Sequence, residues 1–391
     1  MDGIKKGGLS RRNFIKGAVA GVALAGLAPA VARKANAETP SIKLAFILSD
    51  HHAPLMVLAR NWELFQQKYN ICLKPVTEDK LYDFMYEGSR IARVQIIPTA
   101  KGPDLERLVA QGSVDVGISG TQAIILSVDR GIDTRIVSPL QTAGNMFVLK
   151  RDLGMNTWDE FVRQTKGSGK QFKIGTPGPD TVAAIIFRSA LENQGITSSE
   201  DATNKNADVL FMNMKGHGNL VAALSNGITE GIIGAQPFPA VTVKNGTGTV
   251  ILNLQDVPPA GKWKGHACCS VGATGDFIAR DRDLVVKTME LIALGVGEAN
   301  ADRAMTARTC SSWLGVEEDV EQSALTTHNY TIIPSERWIE SVYTYAETMD
   351  GMKLFNGKLV GKRSKELDPL VFDFQYMEEA RKNLKQKKFI A

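Results

Sequence analysis

Along this chain, short apolar runs alternate with stretches whose apolar residues recur at helical spacing, the pattern of an α/β protein. The first unit is the clearest. Residues 44–48 form an apolar run that reads as one buried strand. Ser49 and Asp50 follow as helix-start residues, with Leu55, Met56, Leu58 and Ala59 at helical spacing behind them. The helical pattern closes over 62–69, and 71–76 reads as a strand. Tyr82, Phe84 and Tyr86 stand at period two within 77–92, which suits either an edge hairpin or a flap over a crevice. A strand over 93–99 leads to a helix over 105–111, with Asp104 as its N-cap.

Residues 112–122 then read as helix stop, strand, small-polar loop and helix start, and 135–140 as a returning strand. A second lobe begins near Met146. Its strands are expected at 173–175 and 209–214 and its helices at 182–193 and 220–226, and 266–273 is a returning strand. From Asp281 onward the pattern is mostly helical, broken at Gly315, Pro334, Gly357 and Pro369.

In an open α/β sheet the carboxyl ends of the strands face a ligand crevice, and the helices that follow point free N–H groups into it. Asp50, His51 and His52 therefore read as the first wall of a small-molecule site, or else as a surface cap with two solvated histidines. Lys101 would stand at the same sheet edge. Gly120 lets the backbone approach a ligand, and Ser119 and Thr121 add hydroxyls beside exposed N–H groups, although a plain helix cap needs the same residues. Gln141 and Thr142 end the returning strand, and Thr176, Asp180, Thr181, His217, Asn219 and Gln236 occupy corresponding turns of the second lobe. Asp50 and Asp180 stand where they would cap their own helices. The remaining donors favour a small anion or a strongly polar neutral solute.

Composition changes this picture in two places. Residues 1–37 read as an export signal, with a basic start, an Ala/Gly-rich run and a small-x-small cleavage site at Ala35-Asn36-Ala37. Ser10-Arg11-Arg12-Asn13-Phe14-Ile15-Lys16 resembles the twin-arginine consensus. This leader holds seven Lys/Arg and one Asp, so the remaining 354 residues carry 39 basic and 41 acidic side chains and no nucleic-acid-binding surface is expected. The four cysteines, Cys72, Cys268, Cys269 and Cys310, show no CxxC or zinc-ligand spacing. On a regular strand Cys268 and Cys269 would face opposite ways, one of them into the core. No cofactor is expected. A metal site of Asp50, His51, His52 and His217 is chemically open, but adjacent histidines seldom share one ion.

Five motifs taken in order carry a family resemblance. They are the apolar strand ending in a His-containing loop, GSVDVGISGTQAI, IGTPGPDTVAAIIFRSALENQGI, NLVAALSNGITEGIIGAQPFP and HACCSVGATGDFIARDRDLV. Across about residues 41–300 the chain resembles the nitrate/sulfonate/taurine-type solute-binding proteins of ABC transporters, a group that includes thiamine-pyrimidine binders. The resemblance implies a type II periplasmic binding protein: an α/β fold with two lobes, a two-stranded hinge and a ligand cleft between the lobes. Lobe one would be 41–140 with 266–391, and lobe two 141–265. It implies a monomeric periplasmic receptor rather than an enzyme, delivering a small sulfonate-, nitrate- or carboxylate-like solute to an ABC permease in the inner membrane. The family's ligand positions map to 50–52, 119–121, 141–143, 176–181, 217–219 and Gln236. Two features depart from the family: Gln236-Pro237 stands where an acidic residue usually precedes the proline, and segment 77–92 is long. The alternatives are a sensor's ligand-binding module, or a protein that binds or makes a pyrimidine precursor. The latter branch uses a histidine and a cysteine-rich loop whose spacing is absent around Cys268.

Overall fold

The computed structural model describes residues 39–390, so the expected export signal lies outside the described residues. The strands in chain order are β1 Ser41–Ile47, β2 Ile71–Thr77, β3 Leu81–Tyr86, β4 Ser89–Thr99, β5 Val116–Gly120 and β6 Thr134–Ala143. Then come β7 Asn145–Lys150, β8 Phe172–Thr176, β9 Ser198–Ser199, β10 Val209–Asn213, β11 Gly231–Ala235 and β12 Gly248–Asn253, and finally β13 Ala267–Thr274 and β14 His328–Tyr330. They form two sheets, ordered β14-β6-β13-β5-β1-β4-β3-β2 and β12-β7-β11-β8-β10-β9. This is the two-lobed α/β architecture that the motifs imply. The chain passes between the sheets at Gly144, from β6 to β7, and again over 254–266, from β12 to β13.

In each sheet the central strands run parallel and are apolar on both faces, because helices cover both sides. β1 pairs in parallel with β4 and β5, and residues 44–47 within it are all buried. Helix α1, Ala53–Arg60, is buried everywhere except at Arg60. It packs on the long helix Arg282–Ala301, where a Cβ on Gly295 would meet Leu58 at 2.7 Å. Glycine is what allows that approach. Beyond α2, Trp62–Tyr69, the other helices that matter here are α3 Gly102–Ala110, α4 Thr121–Asp129, α5 Trp158–Thr165, α6 Val182–Asn193, α7 Asn219–Ser225 and α8 Phe238–Lys244. In the second lobe Phe147, Phe161 and Phe187 pack edge-on or tilted with centroids 4.6–6.1 Å apart. Truncating one such ring costs about 3–5 kcal/mol.

The structure decides one open alternative and departs from the pattern reading in two details. Segment 77–92 is an edge hairpin, since β3 and β4 pair antiparallel and β3 also pairs with β2. Helix α3 begins at Gly102, one turn earlier than expected, because Pro103 already suits the first turn and Lys101 holds the extended N-cap position. Asp104 therefore lies inside the helix and pairs with Arg107 at 3.4 Å. The three-residue strand β14 carries no periodic signal at all, yet its pairing with β6 brings His328 and Tyr330 beside Asp50.

Candidate functional site

The loops after β1, β5, β8, β10 and β11 converge between the sheets around a small cavity of about 30 Å³. That is room for about two waters or a few heavy atoms. Ser49, His51 and His52 border it from the β1 loop, and Gly120 and Gln122 from the start of α4. Thr181, His217 and Ala235 border it from the second lobe, and Asn145 from the crossover. Cys268 and Cys269 on β13 complete the wall. The lobes touch across it: Gln122 Nε2 donates to the Asp180 carbonyl at 3.0 Å.

Hydrogen bonds fix the histidine rings. His52 Nδ1 accepts from the Ile47 N–H at 2.9 Å, which puts the proton on Nε2, and that atom has no partner. His217 Nδ1 accepts from the Ala235 N–H at 3.4 Å, again leaving Nε2 as the donor. Burial, with His51 nearby, lowers both pKa values, His217 to about 3, so both rings are neutral near pH 7. His51 is held differently. Its Nε2 donates to the Gly144 carbonyl at 3.1 Å, and Nδ1 lies 3.4 Å from Cys268 Sγ. Burial opposes charge on both groups, but Cys269 and His51 lower the Cys268 thiol and Cys268 raises His51.

Behind His51, away from the cavity, Asp50 is fully buried and neither carboxylate oxygen has a partner. Burial pushes its pKa up to about 7, with His51 pulling the other way. Asp50 thus caps nothing through its side chain, contrary to the pattern reading: the short Asp50–His52 turn satisfies its own backbone. Tyr330 Oη donates to the Asp50 carbonyl at 2.6 Å.

Of the residues singled out from sequence, His51, His52, Gly120, Thr181 and His217 border the cavity, and the others do not. Thr121 Oγ1, at the start of α4, bonds Ser270 Oγ on β13 at 2.6 Å. Gln141 folds back on the carbonyls of Thr142 and Ala143, and Thr142 reaches toward the Asn329 carbonyl. Thr176 Oγ1 donates to the Gly178 carbonyl at 2.8 Å and so closes its own loop. Ser119 is buried with its Oγ unpartnered, 3.3 Å from where a Cβ on Gly102 would stand. Lys101 lies against Gly178 at the lobe junction, and Asp180 meets Gln122 through its backbone. Asn219 is exposed and borders an outer cavity of about 360 Å³ with Lys215, Phe238 and Trp313, which also reaches His217. Gln236 Oε1 accepts from the Ala240 N–H at 3.1 Å and so serves the start of α8.

Sequence reasoning missed Gln122, Asn145, Cys268 and Cys269. The cysteines were assigned to opposite strand faces, but β13 slips register against β6 on either side of Cys269, and both sulfurs reach the cavity. Two groups bring three ligand-type atoms within 4.8 Å of one another: His51 with Cys268 and Cys269, and His51 with Asp50 and His328. Among the described residues the disfavoured foursome of Asp50, His51, His52 and His217 is not assembled in that way.

Comparison with known proteins accords with this architecture. A stretch of 117 residues is 34% identical to an uncharacterised protein of Methanocaldococcus jannaschii, covering 30% of this chain and 81% of that protein. The nitrate-binding protein NrtA of Synechocystis PCC 6803 superposes with a TM-score of 0.67 at 15% identity, over 89% of this chain and 90% of that one. The ligand-binding component of an ABC-type import system from Staphylococcus aureus, solved with zinc bound, gives 0.66 at 16% identity over 87% and 99%. The alkanesulfonate-binding protein SsuA of Xanthomonas axonopodis pv. citri, bound to MOPS, gives 0.62 at 16% identity over 86% and 99%. These likenesses show the periplasmic-binding-protein fold. Residues 35–311, well over half of the chain, match the NMT1-like family, and the protein belongs to that family.

Proposed function

We propose that the protein is a periplasmic receptor whose lobes close over a small, polar, anionic solute and present it to an ABC permease. The carrying observation is a cavity bordered by both lobes and by two buried, neutral histidines, each with Nδ1 held by a backbone N–H so that Nε2 carries the proton a solute can accept. Neutral donors on buried side chains bind an anion without a competing salt partner, as preorganised dipoles do elsewhere. The nitrate and sulfonate named for the structural relatives indicate the solute class, and the small volume favours an ion of a few heavy atoms over one as large as MOPS. Among the described residues no helix is long and apolar enough to cross a membrane, which accords with a receptor that meets its permease from outside. The fold and family support transport rather than catalysis.

Titration calorimetry with nitrate, short sulfonates and small carboxylates tests this reading. One of these ions is expected to bind, and His52→Ala and His217→Ala should each weaken it by about 1.5–3 kcal/mol, the loss of one hydrogen bond to a charged group. Binding by none of them, or unchanged affinity in both variants, would remove the anion site.

A further inference from the structure

Adjacent residues on a regular strand point to opposite faces. β13 departs from that rule at Cys269, where the register against β6 shifts both before and after the residue. The two sulfurs consequently lie 3.8 Å apart. His51 Nδ1, brought in by the loop after β1, stands 3.4 Å from Cys268 Sγ and 3.9 Å from Cys269 Sγ. All three side chains are at most 4% exposed, and all three border the cleft cavity.

We propose that Cys268, Cys269 and His51 bind a soft closed-shell cation, Zn(II) or Cu(I), with an open coordination position toward the cavity. The triangle of donor atoms has the right size. Metal–sulfur bonds of about 2.3 Å and metal–nitrogen bonds of about 2.0–2.1 Å at tetrahedral angles require about 3.8 Å between sulfurs and about 3.6 Å between sulfur and nitrogen. The observed edges are 3.8, 3.4 and 3.9 Å. Thiolate and imidazole donors select these ions over harder oxygen-seeking cations.

The surrounding contacts orient the donors as an outer shell does in metal sites. The Gly144 carbonyl can only accept, so at 3.1 Å it fixes the proton on His51 Nε2 and leaves the Nδ1 lone pair facing the sulfurs. Asn145 Nδ2 donates to Cys268 Sγ at 3.1 Å, which favours the thiolate. Asp50 and His328 also come within ligand distance of His51, but neither borders the cavity. With three protein ligands, the fourth position falls to water or to the solute; its use by the solute rests on the receptor reading, whereas the metal site does not.

The reduced full-length protein, handled without oxygen, should be titrated with Zn(II) and Cu(I) against chromophoric chelators, and with Co(II) as a spectroscopic probe. One equivalent of Zn(II) or Cu(I) is expected, and Co(II) should give a thiolate-to-metal charge-transfer band. Cys268→Ser and Cys269→Ser should each weaken binding by at least about 100-fold, since even outer-shell changes cost 10–100-fold. A Cys72→Ser/Cys310→Ser variant should bind like the wild type. Absence of stoichiometric binding of both ions, or absence of the cobalt band in the wild-type protein, would overturn the proposal even if a cysteine variant failed to fold. Tight binding retained by the Cys268→Ser/Cys269→Ser double variant would also overturn it. A protein that binds an anion but no metal defeats this inference alone. One that binds metal but no anion defeats the anion reading alone.

Discussion

Gly144 shows how much of the site depends on one backbone position. Its φ is +80°, and a Cβ there would lie 2.5 Å from His51 Nε2. Gly144→Ala should therefore strain the crossover and displace the imidazole, lowering stability by about 1–3 kcal/mol; denaturant unfolding measures this, and a loss below about 0.3 kcal/mol would contradict the packing described. Glu321 carries a pH dependence. It is fully buried, neither carboxylate oxygen has a partner, and burial together with Asp50 pushes its pKa from 4.5 up to about 10. A folded-state value above the unfolded one means that the neutral form's contribution is complete below pH 4.5 and is lost as pH rises toward 10. Glu321→Gln stays neutral throughout, so its stability relative to wild type should climb across that window, by at most about 1.4 kcal/mol per pH unit. A difference in Tm that is constant with pH would contradict this. The strand-end histidines were legible in sequence because they follow an apolar run directly, whereas Asn145 and Gln122 look like ordinary turn and helix residues until the lobes are brought together.

Among the elements, the two helix starts that meet across the cleft matter most. The first turn of α4 supplies Gln122, and the turn before α6 supplies the Asp180 carbonyl that it clasps at 3.0 Å. Gln122→Ala should loosen the closed form and, by removing a hydrogen bond of about 0.5–1.5 kcal/mol, speed solute dissociation several-fold with little change in association. Stopped-flow exchange reads both rates, and an unchanged dissociation rate would show that the clasp does not hold the lobes. Elements with strong periodicity were readable from the chain: α6 runs over Val182–Asn193 as expected, and β2 follows a helix at 62–69. What escaped has a physical reason in each case. β14 is too short for a period and forms only because β6 offers it an edge. The paired thiols depend on register shifts in β13, which arise from its pairing with β6 and leave no trace in the local pattern.

For the whole molecule, the described residues hold two sheets that exchange backbone at Gly144 and over 254–266, and loops from both sheets form the cavity. A ligand that touches both lobes stabilises the closed form by its differential affinity for it. On the proposed reading, the lobes assigned from sequence as 41–140 with 266–391 and as 141–265 are the bodies expected to move about these crossovers, with the first boundary at Gly144 because β6 runs to Ala143 in the first sheet. Small-angle scattering tests this claim most directly, with and without an anion shown by calorimetry to saturate the site. The account predicts that the free protein has a larger radius of gyration than the closed structure and that the anion brings scattering into agreement with it. A free protein that already scatters like the closed structure, and does not change at saturation, would contradict closure over a solute.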